Sequence, residues 1–114
     1  MIGQAQRLNP RMPRDWFMST AMAVACFAVA RFDEAVTWSE RAVTQNRRFV
    51  VALRVLASAL AKLGQRERAA DVVREILHIE PHLTVSMLRA SLAFQDDAFL
   101  AEYCGGLRLA GLPE

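Results

Sequence analysis

The chain matches itself at an offset of 34 residues. Ala23 falls on Ala57, Ala30 on Gly64, Ala35 on Ala69, Val43 on Leu77, Met22 on Leu56 and Cys26 on Leu60, and Pro13 and Pro81 stand two periods apart. A period of that length restricts the fold more than any single residue does. Each unit is too small to bury an apolar face alone and must stack on its neighbour.

Within the period the apolar residues recur at the three-and-four spacing of a helix. Val51 to Leu63 places Leu53, Leu56, Ala57, Leu60 and Leu63 on one face, and Arg66 to Ile79 does the same with Ala69, Val72, Val73, Ile76 and Leu77. Gly64 lies between them, where a chain reversal needs left-handed backbone, and Pro81 ends the second helix by lacking an amide proton. The preceding unit repeats the plan with helices over Trp16–Ala30 and Asp33–Gln45, the carboxylates of Asp33 and Glu34 lying in the first turn, where they complement the helix dipole. The fold class predicted is all-α, built from tandem antiparallel helix pairs. The expected organisation is one domain: residues 1–12 as the remnant of an earlier unit and linker, 13–47 and 48–83 as two units, and 84–114 as a C-terminal cap.

Ile2, Ala5 and Leu8, leading into Asn9-Pro10, read as the last turns of that earlier unit. In the cap, Thr84 is placed to start a short helix over Val85–Ala93 and Asp96 another from about Ala98 to Ala110, each through an oxygen beside free backbone amides. A third period fails there, because Ala98 and Leu100 occupy positions where Gly and an aromatic would continue the pattern.

These residues resemble the tetratricopeptide repeat, whose units carry a large apolar residue, a Leu-Gly pair, an aromatic, an Ala, a second aromatic and a Pro at fixed offsets. The second unit supplies Leu53, Leu56-Ala57, Leu60, Ala69, Val73 and Pro81; the first supplies Ser19, Met22-Ala23, Cys26, Ala35, Ser39 and Arg47, with Phe32 opening its second helix. Aliphatic residues stand in for several aromatics. The resemblance implies a concave groove lined by the first helix of each pair, presenting Phe17, Thr20, Val24 and Phe27 from one unit and Val51, Arg54, Ser58 and Lys62 from the next. It implies a protein-interaction module that binds a peptide or helix of a partner, without catalysis. Val24 and Ser58 occupy places where family members that clamp a terminal carboxylate have asparagine. The C-terminal stretch, Thr84–Ala93 followed by Gly106–Glu114, is similar to the end of bacterial proteins in which such repeats follow a class III adenylate cyclase domain or a winged-helix regulatory domain. That similarity implies an alternative role as the regulatory or dimerising segment of such a protein.

Charge and composition exclude several classes. Fourteen basic against twelve acidic residues give a net charge of +2, short of the dense basic surface that non-specific nucleic-acid binding requires. The uncharged run from Trp16 to Ala30 is too short to span a membrane, which takes about 20 apolar positions. As a secretory signal it would end at Ala28-Val29-Ala30, but cleavage there would remove half of the repeat. Two separated cysteines, Cys26 and Cys104, fit a reducing compartment, so a cytoplasmic location is expected.

The remaining chemistry has structural explanations. His78 and His82 flank Pro81, which breaks the helical register that two zinc ligands would need. Cys26 lies in an apolar run as a core residue, and Cys104-Gly105-Gly106 reads as a helix weakness or a close packing contact. The pairs Asp33-Glu34 and Asp96-Asp97 stand at helix starts, where capping accounts for them. No cofactor or metal is expected. Arg47-Arg48 form the best basic cluster, either a solvated loop or a contact for an anion or acidic peptide. Two units, a remnant and a cap are few for a stable array, so a homodimer is expected at the Trp16 and Phe17 end.

Overall fold

The computed structural model describes residues 15–92 and 95–114. Ile2, Ala5, Leu8, Asn9-Pro10, Pro13 and the end of the helix expected to reach Ala93 lie outside them. Among the described residues the chain is helical throughout, in six segments: α1 Asp15–Ala28, α2 Phe32–Gln45, α3 Val50–Lys62, α4 Arg66–Ile79, α5 Val85–Ser91 and α6 Asp97–Ala110.

The helix limits repeat with the sequence. α2 and α4 begin 34 residues apart, at Phe32 and Arg66, and α1 and α3 end 34 apart, at Ala28 and Lys62. The turn after α3 is made by Gly64, φ +84°, whose amide reaches Ala61 O while that of Gln65 reaches Leu60 O. The turn after α1 is the same turn one period earlier: Ala30 takes φ +64°, its amide reaches Phe27 O, and that of Arg31 reaches Cys26 O. The expected extension of α1 to Ala30 therefore contracts to Ala28, because Ala30 has already left the helical region.

The core forms where the small faces meet. Ala23, Ala35, Ala57 and Ala69, the two aligned pairs of the repeat, are wholly buried and let neighbouring backbones approach closely. α1 packs on α2, α2 on α3 and α3 on α4, while α3 also touches α1 and α6. α3 is thus the central element, and Ala52, Leu53 and the whole stretch Val55–Ala61 are buried. Surface ion pairs join α2 to α4: Arg68 with Glu40, and Arg47, just past α2, with Glu75 at 2.8 Å.

The cap begins as its sequence indicates. Thr84 Oγ1 accepts from the Met87 amide and Asp96 Oδ2 from the Phe99 amide. Its ending is less local. Gly111, φ +107°, turns the chain so that Leu112 is buried, and the carbonyls of Pro113 and Glu114 accept the amides of Val85 and Ser86 at 2.8 and 3.0 Å. The last residues therefore satisfy the otherwise free amides at the start of α5.

Candidate functional site

α6 lies across the surface that the repeat resemblance assigns to a ligand. Gly106 is the contact that allows it. A Cβ on Gly106 would stand 2.0 Å from Ser58 Oγ and 2.8 Å from Ser58 O, so only glycine permits α6 to approach α3 this closely. Ser58 Oγ donates to the carbonyl of Tyr103 at 2.9 Å, and Lys62 Nζ pairs with Glu102 at 2.7 Å. At the other edge Phe27 meets Tyr103 and Phe99 edge-on, with ring centroids 5.9 and 5.8 Å apart, while Phe99 and Tyr103 stack on each other.

The eight expected groove residues consequently divide. Phe27 and Ser58 are buried instead of presented, because α6 covers both. Thr20 is buried too, its hydroxyl donating to Trp16 O within α1 at 2.8 Å. Arg54 is largely covered and donates to Glu80 at 2.6 Å; its Nε is buried with no hydrogen-bond partner among the described residues. Val24, Val51 and Lys62 are half-buried, and Phe17 is exposed beside Trp16 and Phe49. Nothing in the local periodicity of residues 48–83 reveals the ion pairs of Arg54 and Lys62, since their partners lie 26 and 40 residues away. The glycine at 106 is the one sequence sign of the close approach.

What α6 leaves open is a cleft of about 400 Å³ between its first turns and the end of α1. Val24, Phe27, Phe32 and Phe99 give it an apolar interior, and Asp96 and Glu102 stand at the α6 side. Each carboxylate is engaged through one oxygen, Asp96 in capping and Glu102 with Lys62. Apolar walls beside carboxylates suit an apolar side chain flanked by a basic one.

Arg47 and Arg48 line a different hollow, of about 580 Å³, with Asp71, Arg74, Glu75 and His78. Arg47 is answered by Glu75 and Arg74 by Asp71, whereas the Arg48 side chain has no ion pair among the described residues. Carboxylates thus neutralise two of the three guanidiniums there, which leaves little net attraction for an anion.

The cysteines are core residues. Cys104 is fully buried, and Cys26 directs its Sγ toward Glu34 Oε1 at 3.9 Å. Burial pushes the Cys26 thiol up from its ordinary value and the Glu34 carboxylate adds to this, the reverse of what activates a nucleophile. Asp33 Oδ1 accepts from the Glu34 amide at the start of α2. No helix among the described residues is long and apolar enough to cross a membrane. Among them, too, no three His, Cys, Asp or Glu side chains gather as a metal would need.

No family model, curated relative or solved structure matches the chain.

Proposed function

We propose that the chain is a tetratricopeptide-like module that binds a segment of another protein and has no catalytic step of its own. In this reading the two helix pairs α1–α2 and α3–α4 are stacked repeat units, and α6 occupies the second half of their groove as a built-in ligand. The partner segment enters the half that remains, the cleft between α1 and α6. The observation that carries the reading is the union of an apolar interior, from Val24, Phe27, Phe32 and Phe99, with the carboxylates of Asp96 and Glu102 at one side. The ligand class is a peptide with a large apolar residue next to Lys or Arg. The 34-residue recurrence of the helix limits supports the repeat assignment.

Selection of a random peptide library on the protein tests this directly. Enriched peptides are expected to share an apolar anchor beside a basic residue, and to be lost on an Ala98→Arg variant, in which the exposed Ala98 at the cleft wall becomes a long cation. Enrichment of unrelated peptides, or of the same peptides by both proteins, would sink the assignment. A second reading, the regulatory or dimerising segment of a cyclase-like or winged-helix protein, is favoured by a separate observation: the outer face of α1 carries no charge and is exposed.

A further inference from the structure

From Trp16 to Ala28, α1 contains no ionisable side chain except Cys26, which is buried. Its outer face is a continuous apolar stripe. Phe17, Met18, Met22 and, just beyond the helix, Val29 are 56, 60, 44 and 66% exposed, and Ala21, Ala25 and Ala28 lie between them on the same side. One period later the equivalents of Met18, Ala21, Met22 and Ala25 are Ala52, Val55, Leu56 and Ala59, all buried in α3, whereas those of Phe17, Ala28 and Val29 are the half-buried Val51 and Lys62 and the exposed Leu63. The centre of the stripe is therefore a helix-packing face that the repeat builds twice and covers once among the described residues. An uncovered face of that kind is a docking surface by construction.

We infer that a second copy of this chain covers it, with α1 packed antiparallel against α1 of the partner about a dyad near residue 23. The order of side chains along the helix is complementary to itself in that arrangement. Phe17 falls opposite Ala28 of the partner subunit, Met22 opposite Ala25 of the partner subunit, and Met18 opposite Val29 of the partner subunit. Large residues meet smaller ones, and the two alanines nearest the dyad let the backbones approach. Charge agrees with shape. Asp15, which in its own chain accepts from Gln45 at 2.6 Å through Oδ2, is brought toward Arg31 of the partner subunit, whose own-chain contact is an exposed 3.6 Å pair with Glu34, while the centre holds no charge to desolvate. A parallel pairing would set Asp15 against Asp15 and Arg31 against Arg31. The isologous geometry closes on two chains and propagates no further. The interface shares the rim residues Ala25 and Ala28 with the cleft but not the carboxylates of α6, and Phe17, Met18 and Met22 lie outside the cleft altogether.

Sedimentation equilibrium of the full chain is expected to give a dimer. Met18→Glu, at a position 60% exposed in the monomer and outside the cleft, is expected to weaken association by about 100-fold or more while leaving the helical circular dichroism unchanged. Cysteine pairing fixes the orientation, because the two native cysteines are buried. An equal mixture of Phe17→Cys and Ala28→Cys chains is expected to form an intermolecular disulfide on mild oxidation, which either variant alone does not, since the sulfurs must come within bridging distance. A monomer at high micromolar concentration overturns the inference, as does a disulfide formed by Phe17→Cys with itself. Ala98→Arg, which tests the cleft, is expected to leave the dimer intact, so the two readings fail independently.

Discussion

Ala30 and Gly64 hold one turn with different side chains, and the difference is measurable. Both sit past a helix end with positive φ, +64° for Ala30 and +84° for Gly64. A residue with a Cβ adopts that region at a cost of about 1 kcal/mol, offset in part by the greater freedom glycine has in the unfolded chain. Ala30→Gly is therefore expected to stabilise the protein by about 0.5 kcal/mol. Gly64→Ala should destabilise it by about 1 kcal/mol through φ alone, since nothing lies within 4 Å of the added methyl. Urea unfolding midpoints of the two variants check both signs. Tyr103 gives a second residue-scale outcome. Burial pushes its phenol well above the ordinary value, and burial also raises the Cys26 thiol. Both groups thus keep their protons to higher pH in the fold than in the unfolded chain, where they ionise around their ordinary values of 9.0 and 10.0. The stability they contribute is complete below about pH 8 and declines as pH rises through their unfolded values, with a slope approaching ~1.4 kcal/mol per pH unit for Tyr103. Tyr103 is the only tyrosine in the chain, so the absorbance of tyrosinate reports its ionisation without ambiguity. Ionisation of Tyr103 at its ordinary pH in the folded protein would show the burial argument to be wrong.

Helices α1 to α4 were legible in the sequence, and the placement of α6 was not. Each of the first four carries its buried side as a local three-and-four pattern, and the stops come from Gly64, Pro81 and the turn that Ala30 shares with Gly64. Their predicted limits differ from the observed ones by at most two residues, and those of α4 coincide. The docking of α6 is decided by contacts such as Ser58 with Tyr103, 45 residues apart, for which a sliding pattern carries no signal. The same blindness explains why Phe27 and Ser58, sound groove positions by repeat phase, are buried. Residues 104–106 did hold a clue, as a close packing contact at a glycine. That contact makes the element-scale prediction strict. In Gly106→Ala the new methyl meets the backbone of residue 58, its O at 2.8 Å and its Cα at 3.0 Å, as well as the hydroxyl. A side chain can rotate away, but α3 cannot move without disturbing its other three helical neighbours. The variant is expected to lose about 3 kcal/mol of stability. Adding Ser58→Ala should restore only part of it, because the backbone clash persists. Chemical denaturation of the single and double variants would decide this, and full rescue by Ser58→Ala would mean that the hydroxyl alone sets the spacing.

Across the whole molecule, stability is unevenly distributed because contact is. α3 is enclosed by α1, α2, α4 and α6, whereas α5 is seven residues long and packs chiefly on α6. A helix so short does not persist on its own propensity. What holds α5 is remote in sequence: the carbonyls of Pro113 and Glu114 take the amides of Val85 and Ser86, and buried Leu112 anchors those residues. Gly111 makes this possible by turning the chain, with the amides of Gly111 and Leu112 both reaching Leu107 O. Residues 112–114 therefore close a loop onto the start of α5, while α6 itself stays packed on α3 and α4. Opening that loop should cost less than unfolding the stack, so α5 amides are expected to exchange with solvent by local opening and α3 amides only by global unfolding. Leu112→Ala removes the anchor at a cost of about 2–3 kcal/mol to the closed loop. It is expected to speed exchange at Leu88 and its neighbours by roughly 30- to 150-fold. If opening is local, exchange at Leu53 and Leu56 stays within a few-fold of its original rate. Equal acceleration at both sets of amides would mean that the cap and the stack unfold as one unit, and that the C-terminal residues support the whole fold instead of one helix.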